Sequence, residues 1–130
     1  MRLPEEDRSR LSERSRETGV SESELVRRYV SDGLRRDLHP AITRRPGTVG
    51  GRPALLSHAR LEVAVIVETW QQNDRSVEAT ARYHEVPVAE VQAALMYYAD
   101  FSEEIDEIIA RKRRISERYE RVFGGPSRRR

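Results

Sequence analysis

The chain has 130 residues, of which 37% are hydrophobic and 35% charged, and its formal net charge is +2. This composition is typical of a soluble protein with one ordinary domain or two very small ones. No apolar run approaches the roughly 18 residues that a membrane span needs, and the opening MRLPEEDRSR lacks the apolar stretch of a signal peptide. The lack of cysteine excludes disulfides, thiolate zinc sites and a cysteine nucleophile, so we expect a cytoplasmic protein without membrane association.

The charge is unevenly distributed along the chain. Residues 1–40 are neutral overall, 41–60 carry +4, 61–110 carry −9 and 111–130 carry +7. Two solvated faces that happen to differ would explain this pattern equally well. It also indicates that a polyanion can approach the ends of the chain but not its middle.

A first module is predicted over residues 1–38. It opens with a short extended piece, because a residue that precedes proline, here Pro4, is pushed out of helical geometry. A helix over residues 5–18 should follow. Gly19 is expected to end that helix, since glycine most easily adopts the left-handed cap conformation.

The second helix of this module begins with a capping signal and is amphipathic. Ser21 and Glu24 have the capping-box spacing, and the helix should run to about residue 36. A module of this size, without disulfide or metal, rarely buries enough apolar surface to fold alone, and its first helix offers little beyond Leu11. We therefore predict an intertwined homodimer that covers the apolar stripe of the second helix: Leu25, Val26, Tyr29, Val30 and Leu34.

The segments RLPEE and ETGVSESELVRR, with the spacing between them, resemble the ribbon-helix-helix family of repressors and antitoxins over residues 1–36. In that family one strand from each subunit pairs into an antiparallel ribbon that enters the DNA major groove. The resemblance implies that Arg2 reads bases, since arginine can contact guanine bidentately. It also implies that the helix start at Ser21, Glu22 and Ser23 binds a DNA phosphate through its amides. Operator DNA is thus an expected partner.

Residues 39–52 are predicted to form a linker, as ordered loop or hinge, because HPAITRRPGTVGGR holds prolines and glycines without periodicity. A second, helical module follows over residues 53–101. Its segments PALL and RLEV, on either side of SHA, are expected to form a small hairpin. A helix should come next, because four apolar residues recur at i, i+3, i+4 and i+7: Val63, Ile66, Val67 and Trp70.

The rest of the second module has a helix-turn-helix outline. Ser76 can cap a short helix that ends near Tyr83, HEVP is a tight turn, and VAEVQAALMYYAD is a longer helix. This longer helix has no basic residue, so we expect it to contact protein rather than DNA. Three neighbouring large residues on it form either a hydrophobic surface patch or part of the core: Met96, Tyr97 and Tyr98.

A second resemblance covers residues 39–110. HPAI, GGRPALL, VIVETW and VPVAEVQAALMYYADFSEEIDEII are similar to the helical domain-of-unknown-function 433 family. In actinobacterial relatives that domain follows a ribbon-helix-helix start, and its members commonly occur as antitoxins beside toxins with PIN-like nuclease folds. The resemblance therefore implies a PIN-like toxin as protein partner.

Residues 102–130 are predicted to form an amphipathic helix, capped by Ser102, and a basic tail. The helix either packs on its own domain or lays its apolar stripe into a groove on the toxin. The tail either does nothing specific or inserts Arg128, Arg129 or Arg130 among the metal-binding carboxylates of the toxin. The stripe proposed for toxin binding repeats every seven residues: Ile105, Ile108, Lys112, Ile115, Tyr119 and Val122.

We expect no catalysis, cofactor or metal. The histidines His39, His58 and His84 lack a metal-binding spacing, and no glycine-flanked nucleophile elbow is present. The expected fold is mainly α. The predicted function is that of a dimeric antitoxin in a type II toxin–antitoxin system, which represses its own operon and neutralises a PIN-like ribonuclease. The alternatives are a stand-alone ribbon-helix-helix transcriptional regulator without a toxin, and a scaffold protein whose ribbon no longer reads DNA.

Overall fold

The computed structural model describes residues 2–45 and 52–124. These residues are mainly helical, with six helices and one two-stranded antiparallel sheet, and no helix among them combines the length and the apolar run needed to cross a membrane. The chain divides into two compact units, Met1–Pro40 and Ala41–Arg130. The elements are α1 (Glu5–Thr18), α2 (Glu22–Leu38), β1 (Ile42–Arg44), β2 (Ala54–Leu56), α3 (Val63–Gln72), α4 (Val77–His84), α5 (Val88–Asp100) and α6 (Ser102–Phe123).

The first unit is a pair of helices joined by a short turn. α1 has its predicted bounds, and Gly19 ends it in the left-handed conformation with φ 71°, its N–H donating to the carbonyl of Ser15 at 2.9 Å. The Ser21 hydroxyl accepts a hydrogen bond from the backbone N–H of Glu24 at 3.2 Å, which confirms the predicted cap of α2. These local signals fix where α1 ends and where α2 begins.

The sheet of the second unit differs from the predicted hairpin. β1 lies in the segment expected to be a linker, and it pairs antiparallel with β2, with Ile42 opposite Leu56. RLEV contributes one bridge, between Leu55 and Glu62, because the residues after Glu62 already belong to α3. Ile42 and Leu56 are both buried, so the hydrophobic effect favours this strand pairing although the segment around Ile42 is polar.

α3 is central to the core of the second unit. It packs against α4, α5, α6 and β2, and the predicted apolar residues Val63, Ile66 and Val67 are fully buried, whereas Trp70 is partly exposed. The core joins residues from the sheet and from four helices: Ile42, Ala54, Leu56, Val63, Ala64, Ile66, Val67, Ala81, Val91, Ala94, Tyr97, Ile105 and Ile109.

α4 and α5 follow the predicted order of short helix, turn and longer helix. The Ser76 hydroxyl accepts from the N–H of Ala79 at 3.1 Å, so the predicted cap of α4 is confirmed. Glu85 ends α4 in the left-handed conformation, φ 57°, and the N–H of Val86 donates back to the carbonyl of Ala81 at 3.0 Å. This closure turns the chain sharply before α5 begins at Val88.

The predicted cap of α6 is wrong by one residue. Ser102 is the first helical residue, and Phe101 holds the cap position without a side-chain cap hydrogen bond. α5 ends only at Asp100, and the Phe101 ring lies 4.7 Å from the Tyr97 ring between centroids. Packing of Phe101 therefore sets the junction between the two helices.

Candidate functional site

The first unit leaves the apolar stripe of α2 in water. Of the five predicted stripe residues only Leu25 is buried, and Tyr29, Val30 and Leu34 are 52%, 57% and 62% exposed. An open groove of about 480 Å³ crosses this face of the helix pair. Its lining combines apolar side chains with an acid and two arginines: Leu3, Asp7, Arg10, Leu11, Arg14, Val26, Tyr29 and Val30.

The residues predicted to contact DNA lie on the surface of the same unit. Ser21, Glu22 and Ser23 come together at the start of α2, all exposed, where the first amides of a helix lack intrahelical acceptors. Arg2 is exposed in the extended segment before α1, which forms no strand in the single chain. In the described residues a ribbon is therefore absent, and its formation requires a second copy of the chain.

Acidic side chains crowd the start of α2. The Glu24 carboxylate accepts from the Arg27 guanidinium at 3.1 Å and lies 3.5 Å from that of Arg28. The hydrogen bond from Arg27 is the main cause that lowers the pKa of Glu24 below its ordinary value. The carboxylate of Glu22, two residues earlier, is also exposed, so a phosphate at this helix start would approach an acid.

The three large residues of α5 take different places. Tyr97 is fully buried and its hydroxyl donates to Glu104 at 2.9 Å, while Tyr98 is half-buried and donates to Asp106 at 2.7 Å. That hydrogen bond to Asp106 is the main cause that raises the pKa of Tyr98. Only Met96 is largely exposed. The alternative in which Tyr97 belongs to the core is confirmed.

α6 passes from a buried half to an exposed half near Lys112. Ile105 is fully buried and Ile108 packs partly against the core, so these two members of the predicted stripe face their own domain. The Lys112 ammonium donates to the Glu62 carboxylate at 2.7 Å, and the Arg113 guanidinium donates to that of Glu68 at 3.2 Å. Glu62 is the N-cap residue of α3 and Glu68 lies in its middle, so these ion pairs attach the base of the exposed half of α6 to α3.

The exposed half of α6 carries the other members of the predicted stripe. Ile115, Tyr119 and Val122 are 46%, 57% and 64% exposed, and Phe123 extends the stripe, its ring 5.0 Å from that of Tyr119. The spacing of Phe123 to Tyr119 is i, i+4, a signal that sequence analysis could have used. We refer to Ile115, Tyr119, Val122 and Phe123 as the α6 stripe.

A row of arginines follows one flank of the α6 stripe. Spacings of three, four and three residues place four of them on one side of the helix, and we call these the arginine row: Arg111, Arg114, Arg118 and Arg121. With Ile115 and Glu117 they line a surface groove of about 500 Å³. Arg114 also lies 3.4 Å from the Glu107 carboxylate. The sequence shows that basic residues cluster here, but their alignment on one side of the helix was not predicted.

No group of three or more His, Asp or Glu side chains in residues 2–45 and 52–124 could hold a metal ion. His84 instead makes a structural contact, with its Nε2 at 2.8 Å from Thr69 Oγ1. Arg128, Arg129 and Arg130, the predicted tail contacts, lie outside the described residues.

Comparisons with known protein families, with curated proteins and with solved structures give no match. Two surfaces therefore bear on function, the uncovered apolar face of the first unit and the exposed half of α6, together with the sequence resemblances.

Proposed function

We propose that this protein is a type II antitoxin: a dimeric, DNA-binding autorepressor whose C-terminal half neutralises a PIN-like ribonuclease. The observation that carries the proposal is the uncovered apolar face of the first unit, which includes Tyr29, Val30 and Leu34. A helix pair of 40 residues that leaves such a face in water is stabilised by a second copy. Dimerisation would bring together the extended segments around Leu3 and Pro4 of the two copies. A ribbon-helix-helix repressor requires this arrangement.

The second unit supports the protein-binding half of the proposal. α5, the helix that would read DNA in a helix-turn-helix, has no basic residue, and its Tyr97 belongs to the core. Duplex affinity depends largely on phosphate neutralisation by Lys and Arg, so α5 is unsuited to DNA. The exposed α6 stripe is suited to a protein partner, because exposed apolar clusters beside charged groups are typical of interaction sites.

Two measurements on the full chain test the DNA-binding half. Sedimentation equilibrium should show a dimer, and a gel shift with the DNA upstream of its own reading frame should show affinity that falls steeply with salt. Val30→Asp introduces a charge at a position that is 57% exposed in the single chain, so it should spare each helix but abolish the dimer and the gel shift.

Ser9→Asp is the matched control, since it adds the same side chain at an exposed position of α1 outside the groove. It should leave both the dimer and the gel shift intact. A wild-type chain that stays monomeric yet folded at micromolar concentration and does not shift DNA would refute this proposal. A dimer that shifts DNA but binds no nuclease would instead favour the stand-alone regulator.

A further inference from the structure

The exposed half of α6 is attached to α3 at its base and has two chemically different flanks. Ion pairs of Lys112 with Glu62 and of Arg113 with Glu68 hold its base on α3. Beyond them every residue from 113 to 123 is exposed. The apolar stripe faces one direction, the arginine row borders it on one side, and Ser116 and Glu120 border it on the other.

We propose that the α6 stripe docks into an apolar groove of a protein partner, and that carboxylates line the wall of this groove beside the arginine row. This inference rests on the proposed function, in which that partner is the nuclease toxin. The arrangement fixes the direction in which α6 lies in the groove, because a reversed helix would place the arginine row against the other wall.

The size and chemistry of the stripe favour a protein partner over nucleic acid. Phosphates would neutralise Arg118 and Arg121 but would leave Ile115 and Val122 in water. Covering the four large side chains of the stripe removes far more apolar surface from water than pairing the guanidinium groups does. A partner that does both must combine an apolar floor with an acidic wall.

The charge pattern also argues against a second copy of the chain as the occupant. In an antiparallel pair of α6 helices, equivalent flanks meet, so the two arginine rows would repel each other. In a parallel pair the row would face the flank of Ser116 and Glu120, which offers one carboxylate to four guanidinium groups. An acidic wall on a different protein would offer carboxylates to more of the guanidinium groups in the arginine row.

The experiment measures binding of the full chain to the protein encoded by the adjoining reading frame, by calorimetry at low and at high salt. Tyr119→Ser and Arg118→Glu should each weaken binding by about tenfold or more. The Arg118→Glu effect should shrink at high salt, and Arg118→Lys should keep most of the affinity, because the row acts through its charge. Tyr119 and Arg118 are exposed, so neither change should disturb folding.

Matched controls separate this effect from general changes in the surface. Tyr83→Ser alters another exposed tyrosine of the second unit, 72% exposed on α4, and Arg8→Glu makes the same charge change on α1. Both controls should bind like the wild type. Loss of binding in Tyr119→Ser and Arg118→Glu alone, with both controls unchanged, supports the proposal.

The other outcomes distinguish the two proposals from each other. If the wild type binds and the α6 variants bind equally well, the docking surface is elsewhere and only this inference is wrong. If the wild type does not bind, both the antitoxin function and the inference are wrong. If Tyr119→Ser changes the oligomeric state of the free chain, or Arg118→Glu abolishes the gel shift with protein binding intact, the occupant is a second copy or DNA, and the inference is wrong.

Discussion

His84 shows how one partly buried polar contact bears on the protonation of a side chain. The Thr69 hydroxyl donates its single hydrogen to the carbonyl of Val65 at 3.0 Å, so toward His84 it can only accept. We therefore assign His84 Nε2, at 2.8 Å, as the donor, with the hydrogen of the neutral ring on Nε2. The contact joins the end of α4 to α3, with the Tyr83 ring packed edge-on at 4.9 Å.

Burial lowers the pKa of His84 from the ordinary value of 6.5, because desolvation penalises the charged ring. The unfolded chain then binds a proton more readily than the folded one, so stability should fall as the pH falls below 6.5 toward the folded pKa. Histidine NMR titration should show His84 changing charge below 6.5. In His84→Gln, unfolding by urea should lose this part of the pH dependence. A His84 signal that titrates at or above 6.5 would contradict the assignment.

At the scale of the elements, signals that act within one turn could be read from the sequence. Gly19, Ser21 and Ser76 end or begin helices where predicted, because each cap contacts its own helix. Signals that depend on distant partners could not. Ile42 becomes a strand residue because Leu56 lies opposite it, and nothing local to the polar segment around Ile42 indicates this pairing.

α6 shows the same limit at the candidate site. Its heptad pattern is continuous from Ile105 to Val122, so the sequence predicts one uniform stripe. The structure divides it, because the core of the second unit ends near Lys112, whose partner Glu62 is 50 residues earlier. The amphipathic helix could be predicted from the sequence. Which of its residues serve the fold and which remain for a partner depends on how far α6 stays in contact with α3, and that contact is not visible in the sequence.

This division predicts that the same substitution has effects of very different size at two positions of α6. Ile105→Ala should cost about 2–5 kcal/mol in the free energy of unfolding, because it opens a cavity in the core. Ile115→Ala should change it by no more than about 0.5 kcal/mol, since Ile115 is 46% exposed in the free chain. Urea unfolding of both variants measures the difference, and similar costs would mean that α6 is buried, or exposed, along its whole length.

At the scale of the whole molecule, negative and positive charges are concentrated in different stretches of the chain. Residues 61–110, which form most of the second core, carry −9, and residues 111–130 carry +7. Under the proposed function, this separation would keep DNA away from the acidic helices and leave the basic end for a partner with carboxylates. The basic end has two parts, the arginine row on α6 and the three arginines after Phe123, and they need not have the same role.

Ending the chain at Phe123 separates these roles, because it removes Arg128, Arg129 and Arg130 but keeps the α6 stripe and the arginine row. If α6 supplies the affinity and a tail arginine pairs with the metal-binding carboxylates of the nuclease, the shortened chain should still bind the nuclease. It should, however, no longer block RNA cleavage. Calorimetry and a cleavage assay on the same complex measure the two properties. Full neutralisation by the shortened chain would assign inhibition to α6 itself, since the helix alone would then close the active site.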